Sequence, residues 1–503
     1  MYSFSRLLST LSLAAAVTAS TIQIVSPVAR GTVVPPAARG AWYAPANALV
    51  VNSTAKTDST TIASTANTIN QKSGASGAPN QPVASVSVTA TDGTIYSKKQ
   101  TVSTTSVENV RRDAEQPSRR ALSDYTQVFA GNGASSTSPH DASIQGTAYL
   151  TYTVVNNSTY NVAACLDFCS GIPTCVFANL YYEFNNPGLD ATGSNLKCAV
   201  YADTHTAAEK TNFGGQQLAP LPAGTTYILH SGGWSAKSLV SPTTPSGYEF
   251  VFGPTNGANN APGYMGFSFL DRYDVDACAS LCNSRNADSV GGACQYFNIW
   301  RAVVNGSPTT YTCSVYFIPA DASTAVNTGQ GSLQVTMSRG YRRKNYAIDG
   351  GFEGYAACSS FCFTESYTNW VGTSPAGGTQ DATIFYFQPY AHSGHSVGLL
   401  GSANNDDALP GTLTVAAPLL TTAGKKYSIG FFHASSFSGP SLAGPAFVNV
   451  KWNGNTVKTI NPGFSNYAYY QVTVTATGND VLAFNGGIAP AWSFIDDITV
   501  MQV

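Results

Sequence analysis

Alternating apolar and polar positions predict strands through the C-terminal third of the chain and in shorter runs before it. Val448, Val450 and Trp452 share one face of a period-2 pattern, while Asn449 and Lys451 share the other. The Asn453-Gly454 pair that follows marks a tight hairpin, since both residues tolerate the left-handed backbone such a turn requires. Further strands are predicted from Lys425 to Phe432, from Ala391 to Leu399 and from Phe494 to Val500. Upstream, Tyr125–Phe129 and Ala148–Val155 carry the same signature, and Val83 to Thr89 could form a strand.

A different pattern occurs twice. Tyr160 to Cys169 and Tyr273 to Cys282 each hold two cysteines four residues apart, one helical turn, beside Leu166 and Phe168 or Ala279 and Leu281. Asn161 and Asp274 occupy matching positions and suit helix N-caps, because their side-chain oxygens can accept from the first free N–H groups. A third cysteine, Cys175 or Cys294, then opens an aromatic run, and a fourth, Cys198 or Cys313, sits in a strand. Eight of the ten cysteines thus belong to one module used twice, a short helix stapled to a small sheet.

Composition narrows the setting. A chain of 503 residues exceeds one core, so two to four domains are expected. Charged residues are 10% and the net charge is −2, which leaves no basic face for nucleic acid. Met1 to Ser20, with Arg6, an apolar run from Leu7 to Val17 and small residues before the cleavage point, predicts a signal peptide over 1–19. Neither a later membrane-spanning run nor a hydrophobic anchor tail follows, so a secreted extracellular or cell-wall protein is expected. Cysteines oxidise in that compartment, which favours disulfides over a four-cysteine zinc site.

Residues 20–120 are low-complexity Ser/Thr-rich text, expected to lack the apolar surface needed to order. Two dibasic pairs, Arg111-Arg112 and Arg119-Arg120, close the segment. They read either as solvated pairs in a linker or as the processing site of a pro-segment, with Arg119 and Arg120 next to the first structured strand. The N-glycosylation sequons are at Asn52, Asn156, Asn157 and Asn305.

The duplicated cysteine pattern resembles the PAN/apple module. Spacing alone allows three pairings per module; the resemblance implies Cys165–Cys198 with Cys169–Cys175, and Cys278–Cys313 with Cys282–Cys294. The further bridge that apple domains often carry is missing here. Asp141 to Thr151, Cys165 to Cys169, Val176 to Asn186 and Asn212 to Ala219 resemble the secreted fruit-body-specific proteins of mushroom-forming fungi, over about residues 121–340. That resemblance implies an extracellular, developmentally expressed protein and no established chemistry.

The last part resembles the galactose-binding-like jelly roll of many carbohydrate-binding modules, through Asp349-Gly-Gly-Phe-Glu-Gly354, His392-Ser-Gly and Asp496-Asp-Ile-Thr-Val500. The expected architecture is multi-domain and β-rich. Two small α+β disulfide-stapled PAN/apple-like modules (121–240 and 241–344) precede a β-sandwich jelly roll (345–503). Cys358 and Cys362, the remaining thiols, are expected to pair locally. In a jelly roll the first and last strands lie close, so Glu353, Asp496 and Asp497 could share a structural calcium ion. Alternatively, Glu353 satisfies a nearby turn and the two aspartates face solvent. No other cofactor is expected.

Aromatic rings stack on sugars, and Trp370, Tyr390 and Trp492 are the glycan-binding choices among Trp370, Tyr386, Tyr390, Trp452 and Trp492. The competing reading puts aromatics at alternate strand positions in the core. His392 and His395 flank a turn and lack a third metal ligand at a fixed offset. Without a recognisable catalytic constellation, the sequence points to a non-catalytic binder of cell-wall polysaccharide or glycoprotein glycans with no membrane anchor. A glycan-active enzyme with scattered catalytic groups is the alternative.

Overall fold

The computed structural model describes residues 42–43, 59–60, 62–66, 87–89, 95–97, 120–131, 141–172, 174–186, 194–214, 226–239, 241–355 and 361–503. The signal-peptide segment, Asn52, Arg119 and Cys358 lie outside them. The chain divides into two compact units. One comprises 1–245, 250–284 and 296–341, and the other comprises 246–249, 285–295 and 342–503. The first module and most of the second thus fall in one unit, while 285–295, with Cys294, is assigned to the other.

In the first module, Tyr125–Phe129, Tyr227–Ala236, Phe177–Phe184, Leu196–Tyr201 and Tyr149–Val155 form an antiparallel sheet in that order. The helix Val162–Ser170 lies on it, burying Cys165, Leu166 and Cys169 against Leu180, Val200 and Trp234. The second module repeats the plan with the helix Val275–Ser284 and a sheet that includes Tyr264–Leu270, Ser307–Tyr316 and Tyr296–Val304. Asn161 caps the first helix through Ala164 N at 3.0 Å, and Asp274 caps the second through Ala277 N at 2.8 Å. The bridges Cys165–Cys198, Cys169–Cys175 and Cys278–Cys313 close with Cα separations of 5.5, 5.4 and 5.6 Å, within the normal disulfide range. Cys282, Cys294 and Cys362 are also disulfide-bonded.

The duplication extends to a buried polar clamp. Asn179 Oδ1 accepts from Ile144 N at 2.9 Å, and its Nδ2 donates to Ser231 Oγ and Gly232 O, both at 2.9 Å. Asn298 accepts from Asn259 N at 3.0 Å and donates to Ser338 Oγ and Arg339 O, both at 2.9 Å. Each asparagine stands four residues after the third cysteine of its module and ties segments distant in sequence to its own strand.

The two modules are joined inside their unit by a buried charge. Asp203 accepts from Arg301 Nη1 at 2.6 Å and from the Tyr311 hydroxyl at 2.5 Å, and Ala148 N donates to Asp271 O at 2.8 Å. A short piece of the low-complexity segment is among the described residues. Residues 62–66 are helical, and Ile62 is fully buried among Phe269, Trp300 and Val335 of the second module. Ile62 and Ala66, four apart, share one helix face and supply the apolar surface the composition had concealed.

The second unit is a β-sandwich. One sheet runs Cys362–Thr364, Ala382–Tyr386, Ser396–Leu400, Ser493–Gln502, Lys426–Ala434, Ala468–Thr475. The other runs Trp370–Thr373, Gly411–Val415, Leu482–Gly486, Val448–Trp452, Asn455–Ile460. Val448, Val450 and Trp452 are buried, and the Asn453-Gly454 turn has φ of 52° and 81°, as the two-residue hairpin requires. The main core joins Phe352, Trp370, Ile384, Leu413, Phe431 and Phe484. Successive strand residues point to opposite faces, so Phe385, Val397, Leu399, Ala434 and Phe494 form a second apolar layer on the outer face of the six-stranded sheet.

His433 is fully buried, and neither ring nitrogen has a hydrogen-bond partner among the described residues. Burial pushes its pKa down from 6.5 to about 3. Between those values the unfolded chain binds the proton and the folded chain refuses it. Stability present above pH 6.5 is therefore lost as pH falls, by up to ~1.4 kcal/mol per unit. Urea unfolding at pH 7 and at about pH 4.5 should show wild type losing roughly 2–3 kcal/mol more than His433→Leu. Parallel losses in the two proteins would refute this assignment.

Candidate functional site

The outer face of the six-stranded sheet carries an aromatic patch that the core does not absorb. Its floor is Phe385 and Phe494, both buried. Tyr390, at the end of the short turn Gln388–Tyr390, packs its ring 5.2 Å from Phe494 and 4.8 Å from Phe387. Phe437, in the loop after Lys426–Ala434, lies 5.1 Å from Tyr390 and 5.4 Å from Trp492. The indole N–H of Trp492 donates to Ser402 O at 2.8 Å, which fixes the ring on the sheet. Phe361 extends the patch at the edge strand, 5.6 Å from Phe387. Phe437 is 51% exposed and Phe361 52%, while Tyr390 and Trp492 are half-buried. Rings held by a packed floor with open faces lose little freedom when a flat apolar partner stacks on them.

A polar cluster borders the patch. His392 stacks on Phe432 at 3.7 Å between ring centres, and the Tyr467 hydroxyl donates to Tyr390 O at 2.6 Å. Asp496 Oδ2 accepts from His392 N at 2.7 Å and Ser393 N at 3.3 Å. Asp497 meets His392 Nδ1 at 2.7 Å and accepts from Ser393 Oγ at 2.8 Å. Glu353 accepts from His395 N at 2.7 Å and Ser396 N at 3.0 Å. The three carboxylates therefore hold the turn that the two histidines flank. Burial, reinforced by the neighbouring Asp497 charge, pushes Asp496 up to about 8. Ser393 donates to Asp497 and not to an imidazole, so the cluster lacks the nucleophile-to-base order of a catalytic triad. Among the described residues, no group of three or more His, Cys, Asp or Glu side chains is arranged to hold a metal ion.

Of the glycan-binding choices, Tyr390 and Trp492 fall in the patch, but Trp370 does not. Trp370 is fully buried against Phe352 at 5.3 Å, with its indole N–H bonded to Asp349 O at 3.0 Å. It is a core residue because the strand Trp370–Thr373 turns that face inward. Tyr386 is half-buried beside His395 at 5.9 Å, and Trp452 is in the core. Phe437 and Phe361 were not singled out, since neither lies in a periodic pattern. The sequons Asn156, Asn157 and Asn305 are exposed, the last in the turn between Tyr296–Val304 and Ser307–Tyr316.

No protein-family model and no curated protein matches this chain. Among solved structures, it is similar to a family 61 carbohydrate-binding module in complex with β-1,4-galactotriose. The identity is 15% over 32% of this chain and 99% of that one, with a TM-score of 0.23. It is also similar to a family 16 carbohydrate-binding module (14%, 31% and 99%, TM-score 0.21). A third similar structure is a cyclase from Fischerella sp. TAU (15%, 31% and 94%, TM-score 0.24).

Proposed function

We propose that this is a secreted, non-catalytic protein that binds glycans through the outer face of the sandwich. The observation that carries the reading is the open-faced aromatic patch of Tyr390, Phe437 and Trp492 on a rigid sheet. Sugar rings present apolar faces of matching size, and one such site binds weakly, on the order of 0.01–1 mM. The sequence blocks that resemble fruit-body-specific proteins make cell-wall polysaccharide the partner proposed here. The whole secreted chain should be retained on insoluble fungal glucan or chitin; passage through every wall polysaccharide and glycan tried would reject the reading.

A structural calcium at Glu353, Asp496 and Asp497 belongs to the same proposal. Its support is the hard-oxygen chemistry of the three side chains, which as placed accept from the N–H groups of the 392–396 turn and would swing onto the ion when it binds. It would brace the turn leading from Tyr390 into the sheet. Chelation should lower the melting temperature of wild type by more than that of Glu353→Gln; equal responses would remove calcium from these residues.

Processing at Arg119 and Arg120 is proposed as well, with an unusual product. Arg120 donates to Cys175 O and its carbonyl accepts from Ser170 Oγ at 3.2 Å, while Ile62 is buried in the second module. Cleavage there should yield two fragments that co-purify until denatured. A processed protein lacking the N-terminal fragment under native conditions would contradict the docking of residues 62–66.

A further inference from the structure

The sandwich contains three fully buried aspartates, Asp381, Asp480 and Asp496. Asp480 accepts from Thr421, Asn453, Thr477 and Gly478, including Thr477 N at 3.0 Å, and Asp496 accepts from three backbone N–H groups. Burial alone would raise Asp480, yet these donors hold it well below the usual carboxylate range. Asp381 differs. Neither of its carboxylate oxygens meets a donor in hydrogen-bond geometry; the polar groups beside it are Ser374 and the carboxyl of Asp407.

The surroundings are shaped to keep it so. Asp381 N donates to Ser374 Oγ at 3.0 Å, and Asp381 O accepts from Gly401 N at 2.7 Å, so the residue is anchored by its backbone. Asp407 is anchored by Thr379 N at 3.1 Å and Leu409 N at 2.9 Å. A Cβ on Gly378 would collide with Asp381 Oδ2, so this loop hugs the carboxylate as only glycine allows. Ala403 N also donates to Gln380 O at 3.0 Å, closing the two loops on each other. The two carboxyls therefore meet at a loop junction beside the Ser374 hydroxyl, and burial and Asp407 push Asp381 up to about 6.

An unpaired buried carboxylate costs several kcal/mol unless a cation or a proton neutralises it. We infer that Asp381 and Asp407, with the Ser374 hydroxyl beside them, form a divalent-cation site that clamps the 374–381 and 401–409 loops, with calcium as the ion. Calcium fits because every available ligand is a hard oxygen, the remaining positions can be water, and an extracellular protein meets it at about millimolar concentration. The site is separate in sequence from Glu353, Asp496 and Asp497, and it stands whether or not the sandwich binds glycans.

The test uses the whole secreted chain, stripped with chelator and titrated with calcium chloride, then with terbium as a luminescent reporter. It is run in a Glu353→Gln background so that the other carboxylate cluster does not report. Asp381→Asn is the first variant. Asp407→Asn, at a partly exposed position, is the second in case the first misfolds. The expected result is saturable binding in the background protein and at least ~10-fold weaker binding in either variant. A melting temperature that rises with calcium only when both aspartates are present is also expected. Absence of calcium binding, or binding that survives both substitutions, would overturn the site. Calcium-independent stabilisation by Asp381→Asn would also overturn it, and would identify the occupant as a proton shared by the two carboxyls.

Discussion

Alanine at Phe437 or Trp492 is expected to release the protein from wall polysaccharide, and alanine at both to abolish retention. Each ring contributes an open face to the patch, and loss of one stacking partner of about 1–1.5 kcal/mol weakens binding roughly tenfold. Because single-site affinity is modest, a tenfold loss moves it below what retention requires. Phe437 is the better position, since it is 51% exposed and its removal leaves the packed floor of Phe385 and Phe494 in place. Trp492 also anchors on Ser402 O, so its variant needs a melting curve beside the binding assay. Trp370→Ala should instead destabilise by about 3–5 kcal/mol, because it empties a fully buried site. Undiminished retention of a folded Phe437→Ala/Trp492→Ala protein would move the binding site off this face.

Asn179→Ala and Asn298→Ala should each destabilise the two-module unit by about 3 kcal/mol. Each deletion strands a buried backbone N–H, a hydroxyl and a carbonyl, and unsatisfied buried groups cost ~1–3 kcal/mol apiece before any relaxation. The equivalence is the informative part, because the two clamps are copies. Urea midpoints measured for both variants, with the half-buried Asn449→Ala of the sandwich as reference, check it. A loss below ~1 kcal/mol in both would show that the clamps do not hold their strands.

These two results bear on what the sequence makes legible. The cysteine repeat, the helix caps at Asn161 and Asp274 and the Asn453-Gly454 hairpin could be read directly, because each depends on local chemistry at a fixed spacing. Asn179 and Asn298 were available to the same reasoning, four residues after Cys175 and Cys294. An asparagine inside an aromatic run carries no local signal, so the sequence alone does not mark them. Trp370 was misplaced for a different reason. Alternation separates two faces of a strand but does not say which face meets the other sheet, and Phe352 and Phe484 complete that answer from distant positions. Phe437 sits in a loop and joins Tyr390 and Trp492 only through the fold. The His392–His395 turn and the carboxylates Glu353, Asp496 and Asp497 were seen as separate motifs, yet they form one cluster once the terminal strands lie side by side. Asp381 and Asp407 left no sequence trace at all, since only burial makes an unpaired carboxylate conspicuous.

Hydrogen–deuterium exchange of the whole chain, with and without a saturating soluble glucan or chitin oligosaccharide, tests the central claim most directly. Protection is expected over residues 385–392, 435–440 and 489–494, the segments that carry Tyr390, Phe437 and Trp492. No protection, or protection confined to residues 120–341, would contradict a glycan site on the outer face of the sandwich and assign recognition to the stapled modules.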